Sequence, residues 1–159
     1  MITFAFPCHL WSPLQTVFGA RNFGGKLSEL RDEEEERFFS FIGSLCRLQV
    51  REGRLALAEN PWQSRAWARK VFDSLIVEGL FELVRGDGCA YQKRLPRSSS
   101  SVDDGLLLQK PTGYLVPKGS ALRITMSLRC TKDHPHGAII GGKWTATTVS
   151  GLVMRPWPW

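Results

Sequence analysis

Three short apolar runs, separated by two stretches of helical spacing, constrain this chain more than any other feature. Residues 2–6 (Ile-Thr-Phe-Ala-Phe), stopped by Pro7, read as a buried strand. Residues 55–58 (Leu-Ala-Leu-Ala) and 80–84 (Leu-Phe-Glu-Leu-Val) read as two more. Between the first two, Ser28 is a plausible N-cap, and Leu30, Phe38, Phe41, Ile42, Leu45 and Leu48 recur at helical spacing up to Gly53. The acidic run 32–36 falls in the early turns, where it suits the helix dipole and reads as a solvated face. Residues 62–78 predict a second helix, with Trp67, Val71 and Leu75 inward and Phe72 beside them, closed by Gly79. Residues 11–25, with Pro13, Gly19 and Gly24-Gly25, read as a loop. Strand, helix, strand, helix, strand is the pattern of an α/β fold on a mostly parallel sheet. Ligand sites in such sheets lie beyond the carboxyl ends of the strands, where Pro7-Cys8 and Glu59-Asn60 both fall.

The second half is less regular. Residues 98–105, Ser-rich and then Asp-Asp-Gly, read as a surface loop. Residues 114–116 suggest a strand, 121–128 a short helix or strand, and 141–159 a poorly packed tail ending Arg-Pro-Trp-Pro-Trp. The division expected is a main segment 1–97, an irregular extension of the same domain over 98–140, and the tail 141–159. At 159 residues, 43% hydrophobic and 23% charged, the chain suits one globular domain rather than a disordered one. A first strand that begins almost at residue 1 suggests a very compact domain or one cut from something longer. The 21 basic against 15 acidic residues, net +6, are compatible with a nucleic-acid partner without requiring one. No apolar run approaches the roughly 18 residues of a membrane span, and the N-terminus has no basic n-region. The expected setting is therefore intracellular, nuclear or cytoplasmic. There the four cysteines serve as free thiols, metal ligands or a nucleophile rather than a disulfide framework.

Phe6-Pro7-Cys8 after one strand and Glu59-Asn60-Pro61 after the next form the most informative pair. This arrangement resembles the catalytic region of cytosine-C5 DNA methyltransferases, which carry Pro-Cys and Glu-Asn at successive strand ends with one helix between. The variants Cys-His-Leu-Trp-Ser-Pro and Glu-Asn-Pro-x-x-Ser are similar to a divergent branch found in retrotransposon polyproteins of protists. The resemblance covers about residues 2–97. It implies an incomplete Rossmann-like methyltransferase fold, DNA as partner and S-adenosylmethionine as the family's methyl donor. Cytosine is unreactive at C5 until a thiolate adds at C6, and a carboxyl group at N3 stabilises the adduct. By resemblance Cys8 is the nucleophile, Glu59 the N3 partner and Asn60 the residue that fixes the loop. The target base would have to leave the duplex. The family's Gln-x-Arg-x-Arg strand is matched in part by residues 92–97. Gln92 and Arg94, with Trp11 beside the Pro-Cys motif, are thus the candidate nucleic-acid contacts. The family's donor site precedes its Pro-Cys strand, whereas seven residues precede Cys8 here, and Gly24-Gly25 follows the Cys loop. The expectation is a fragment that is inactive alone. The plain alternatives are an inert, buried Cys8 and a Glu59-Asn60 pair that merely caps the second helix.

Cys130-x-x-x-His134-x-His136, with Cys89 upstream, is a second constellation. Two thiolates and two imidazoles suit tetrahedral zinc, although the His-x-His spacing is tighter than in the common fingers. Polar loop residues and a buried Cys89 are the plain alternative. His9 could tune the neighbouring thiolate or simply face solvent. Asn60-Pro61-Trp62 loosely fits the Asn-Pro-Pro-aromatic turn of amino-directed methyltransferases, without the second Pro. Beside the methyltransferase-like fragment stand two rival readings: a non-catalytic, zinc-stabilised, nucleic-acid-associated module of a mobile-element polyprotein, and a remnant with no selected function.

Overall fold

The computed structural model describes residues 1–13, 15–94 and 106–137. Strand β1 (Ile2–Ala5) leads to helices α1 (Gln15–Phe23), α2 (Leu27–Glu34) and α3 (Ser40–Arg51). Strand β2 (Ala56–Pro61), helix α4 (Lys70–Val77) and strand β3 (Phe81–Asp87) follow. The rest comprises β4 (Leu107–Leu108), β5 (Pro111–Pro117), α5 (Leu122–Met126) and β6 (His136–Gly137). Among the described residues, no helix is long and apolar enough to cross a membrane.

The expectation of a mostly parallel sheet is corrected. The main sheet has the order β1-β2-β5-β3, and only β1 and β2 pair in parallel. Strand β5 is antiparallel to both of its neighbours. It follows that β1, β2 and β3 run in one direction, with the reversed β5 lodged between β2 and β3. Alternation of strands and helices set the direction of the first three strands correctly. It carried no information about a later strand that inserts between them, because that pairing is non-local. Because β5 belongs to the second segment, the segments 1–97 and 98–140 share one sheet. The Ser/Asp loop and the tail 141–159 lie outside the described residues.

Helical boundaries also shift. Residues 15–23, read as loop, form α1, and Gly24 and Gly25, both at positive φ, make the turn into α2. Ser28 lies inside α2 rather than capping it; Lys26 holds the cap position without a side-chain bond. A π-helical turn over Glu35–Phe39 joins α2 to α3. Such a turn inserts about one extra residue and rotates the inward face. Hence Phe39, Ile42 and Cys46 are fully buried, whereas Phe38 and Phe41 are exposed. A strict 3.6-residue period places the seam on the wrong phenylalanine.

The core lies on the α3–α4 face of the sheet. Phe6 stacks on Phe72 with centroids 5.2 Å apart and packs edge-on against Phe39 at 5.2 Å and Trp67 at 5.5 Å. Trp11 adds a contact to Phe39 at 5.0 Å. Aromatic pairs at these separations add to the burial energy, so the chain on both sides of Pro7-Cys8 is anchored. The opposite face carries a smaller cluster of Leu57, Tyr114 and Val116, covered by α5 and Tyr91.

Candidate catalytic edge and metal centre

Because β1 and β2 are parallel neighbours with Ala5 opposite Glu59, their carboxyl ends lie side by side. Cys8 follows three residues after Ala5 and is exposed, not the buried small residue of the plain reading. Its carbonyl accepts a bond from the Trp11 amide at 3.1 Å, which turns the loop sharply. Asn60 is 1% exposed, and its Nδ2 donates to the Phe6 carbonyl at 2.9 Å. This bond ties the end of the Glu-Asn strand to the residue before Pro7-Cys8. The Asn60 Oδ1 has no partner among the described residues. The Glu-Asn pair does not cap a helix: it lies within β2, and Ser64 caps the next turn through Oγ and the Ala66 amide at 3.3 Å.

Alternation along β2 turns Asn60 toward the aromatic core and Glu59 toward the face of Leu57 and Tyr114. Glu59 is half-buried and sits opposite Tyr114 on β5. Burial, and then the neighbouring Tyr91 and Glu59, raise the Tyr114 hydroxyl above its ordinary value. Burial lowers His9, favouring a neutral imidazole, and its ring lies 6.4 Å from Phe23. Trp11 is removed from any stacking role. It is 1% exposed, its Nε1 donates to Glu34 Oε2 at 2.6 Å, and Arg31 and Arg69 each sit 5.4 Å from its ring centroid. Gln92 takes a left-handed conformation after the turn Gly88–Tyr91, and Arg94 forms an isolated bridge with Leu107. Residues 92–94 therefore do not continue as the expected strand, and residues 95–97 lie outside the described part. Gln92 and Arg94 are exposed; Gln92 lines a depression with Cys89 and His134, and Arg94 bridges to Leu107, which also pairs with His136.

That constellation converges. One donor atom each from Cys89, Cys130, His134 and His136 lies within 4.8 Å of all the others, so the cluster could hold a metal ion. Bonds of about 2.3 Å to sulfur and 2.0–2.1 Å to nitrogen give tetrahedral edges of roughly 3.3–3.8 Å. Cys130 Sγ lies 3.3 Å from His136 Nε2 and 3.8 Å from His134 Nε2.

The surrounding groups hold this donor set in place. Strand β3 runs straight into Asp87-Gly88-Cys89. A Cβ on Gly88 would lie 2.7 Å from the Leu108 carbonyl, so only glycine lets the Cys89 turn pack this close to β4. Asp87 is 2% exposed; it accepts bonds from the Cys130 amide at 3.0 Å, Arg129 Nε at 3.1 Å and Arg85 Nε at 3.1 Å. Burial opposes its ionisation, but these donors win and hold its carboxyl below the ordinary value. The Lys132 amide donates to Cys130 Sγ at 3.2 Å, and Asp133 bonds His134 Nδ1 at 2.7 Å, leaving Nε2 to face the cluster. Outer partners of this kind fix the tautomer and orientation of metal ligands. Sequence reading found the four donors and missed Asp87 and Asp133. An acidic residue two before Cys89 and another directly before His134 were the available signals.

Comparison of the chain with protein-family models, curated proteins and solved structures returned no match.

Proposed function

We propose that this chain carries the base-binding region of a cytosine-C5 methyltransferase-like protein, with DNA as its partner. The observation that carries the reading is the bond from Asn60 Nδ2 to the Phe6 carbonyl across two parallel strands. It is consistent with the loop-fixing role that the resemblance implies for Asn60, and Glu59 and the Cys8 turn follow from the same two neighbouring strands. In the chemistry proposed, the Cys8 thiolate adds at C6 of an extruded pyrimidine. The S–C6 bond forms as the C5=C6 electron pair moves onto C5, and water supplies the proton there. Glu59 hydrogen-bonds N3 and stabilises the electron-rich ring. S-adenosylmethionine, which supplies the methyl group in the family, enters this reading through the resemblance alone.

An oligonucleotide carrying 2-pyrimidinone, which takes up thiols at C6, tests the reading by peptide mapping of the adduct. The adduct is expected on Cys8, absent in Cys8→Ser and at least tenfold slower in Glu59→Ala. Equal rates with and without Glu59, or an adduct on another cysteine, refute it.

The Cys/His cluster favours a second reading: a zinc-stabilised, nucleic-acid-associated module of a mobile-element polyprotein. Two sulfur and two nitrogen donors within 4.8 Å of one another, offering four protein ligands and no open position, suit structural zinc. Elemental analysis is expected to find about one zinc per chain, and absence of zinc with unchanged folding removes this reading.

A further inference from the structure

Charge is unevenly distributed along the chain. Residues 1–84 hold ten Lys and Arg against eleven Asp and Glu, whereas residues 85–137 hold nine Lys and Arg against four Asp. The positive excess therefore belongs to the segment that builds the metal cluster, and one of its four Asp, Asp87, is buried. Lys93 and Arg94 follow the Cys89 turn and are exposed, as is Lys132 beside Cys130. Arg129, 56% exposed, and Gln92 line a cavity of about 400 Å³ together with Thr131 and His134.

The fold puts this surface on a particular edge. Strand β3 runs in the same direction as β1 and β2, so the Cys89 turn leaves the sheet at the edge where Cys8 and Glu59 stand. Three strand spacings of about 4.8 Å separate β1 from β3, roughly 14 Å. Tyr114 lies between them, with its ring 6.3 Å from that of Tyr91 in the Cys89 turn.

We propose that the metal lobe is a nucleic-acid-binding surface. It holds an unpaired strand through its phosphates, with Lys93, Arg94, Arg129 and Lys132 as the contacts, and leads that strand along the carboxyl edge toward Cys8. This deepens the reading above and rests on it for the position of the base. An unpaired strand is the form chosen because its bases reach a thiol at a strand end without the unpairing that extrusion from a duplex requires. A metal ion joining Cys89 to Cys130 fixes the two cationic loops relative to each other, so strand binding depends on the centre being assembled.

Fluorescence anisotropy of the full chain with a labelled single-stranded oligonucleotide, titrated with salt, tests the proposal. Four phosphate contacts give a slope of log K against log salt of about −2.8, taking ~0.7 per contact. The double variant Lys93→Glu/Lys132→Glu is expected to lower the slope to about −1.4 and weaken binding at least tenfold, with unchanged zinc content. Chelation is expected to weaken binding of the parent chain to a similar extent. A double variant that binds like the parent overturns the proposal, and so does tighter binding to vesicles of anionic lipid than to the oligonucleotide. Zinc content and the Cys8 adduct are measured separately, so failure here is distinguishable from failure of either reading above. A zinc-loaded chain that forms the adduct yet ignores Lys93 and Lys132 overturns this surface alone.

Discussion

Replacing Asn60 tests the link between the two motifs most directly. In the native chain its side-chain amide donates to the Phe6 carbonyl just after β1 at 2.9 Å, and the residue is buried. Asn60→Ala removes the donor and leaves that carbonyl facing a small cavity. An unsatisfied buried acceptor costs about 1–3 kcal/mol. For a chain of this length each kcal/mol lowers Tm by about 2–4 °C, so a loss near 2 kcal/mol corresponds to roughly 4–8 °C. Asn60→Asp is the more informative variant, being nearly the same size. When protonated its hydroxyl can donate to the Phe6 carbonyl; when ionised it can donate nothing and is a buried charge. Burial raises its folded pKa above the unfolded value of about 3.9. The native state then binds more protons, so stability is greatest below the unfolded pKa and is lost as pH rises through the folded one. Urea denaturation of parent, Ala and Asp forms at several pH values reads both effects. An Ala variant within about 0.5 kcal/mol of the parent, or an Asp variant whose deficit is the same at pH 4 and pH 7, refutes the reasoning.

Three further outcomes follow from the packing and the titrating groups. A Cβ at residue 113 would lie 2.7 Å from Trp67 Nε1, which itself donates to the Pro61 carbonyl at 3.0 Å; Gly113→Ala is therefore expected to cost about 1–3 kcal/mol in denaturant titration. Burial raises the Glu34 carboxyl despite its bond from Trp11, so its contribution to stability is full below the ordinary carboxylate range and declines as pH rises through the raised value. Glu34→Gln keeps an acceptor for Trp11 and should remove that part of the slope between acid and neutral pH. Burial pushes the Cys46 thiol up to about 12, so native protein exposed to a thiol reagent at neutral pH should be labelled at Cys8 and spared at Cys46. With zinc bound, Cys89 and Cys130 should also be spared until a chelator is added, as peptide mapping would show.

What was legible in the sequence was local or repeated. The apolar runs at 2–6 and 80–84 and the Gly79 stop lie close to their observed places, because each reports its own burial. The π-helical turn at Glu35–Phe39 was not legible. One inserted residue leaves composition unchanged yet moves the buried position from Phe38 to Phe39. Trp11 looked like a site residue because it stands three residues from Cys8. Its burial depends on Glu34, Arg31 and Arg69, which are remote in sequence and reach it only once α2 and α4 have packed. The four Cys and His donors were legible because few other roles suit them together. Asp87 was not, since an acidic residue at the end of an apolar run looks like a simple boundary.

The two candidate centres are joined by chain direction. Three codirectional strands end at one edge, and each end carries a polar device: the Pro7-Cys8 turn after β1, Glu59-Asn60 within the end of β2, and Asp87-Gly88-Cys89 at the end of β3. The reversed β5 begins at this edge, at Pro111, whose carbonyl accepts from the Trp62 amide at 3.0 Å, while the nearby Lys110 carbonyl accepts from the Gly88 amide at 3.0 Å. Residues 110 and 111 thus bridge the chain just after Glu59-Asn60 to the chain just before Cys89. A metal ion held between Cys89 and Cys130 would therefore also restrain the start of β5, and through it the end of β2. Loss of the metal should reach Asn60 through that backbone path. Hydrogen exchange at the Trp62 and Gly88 amides, compared with and without chelator, reads the coupling: faster exchange at both is the expected result, and protection unchanged at Trp62 would separate the two centres.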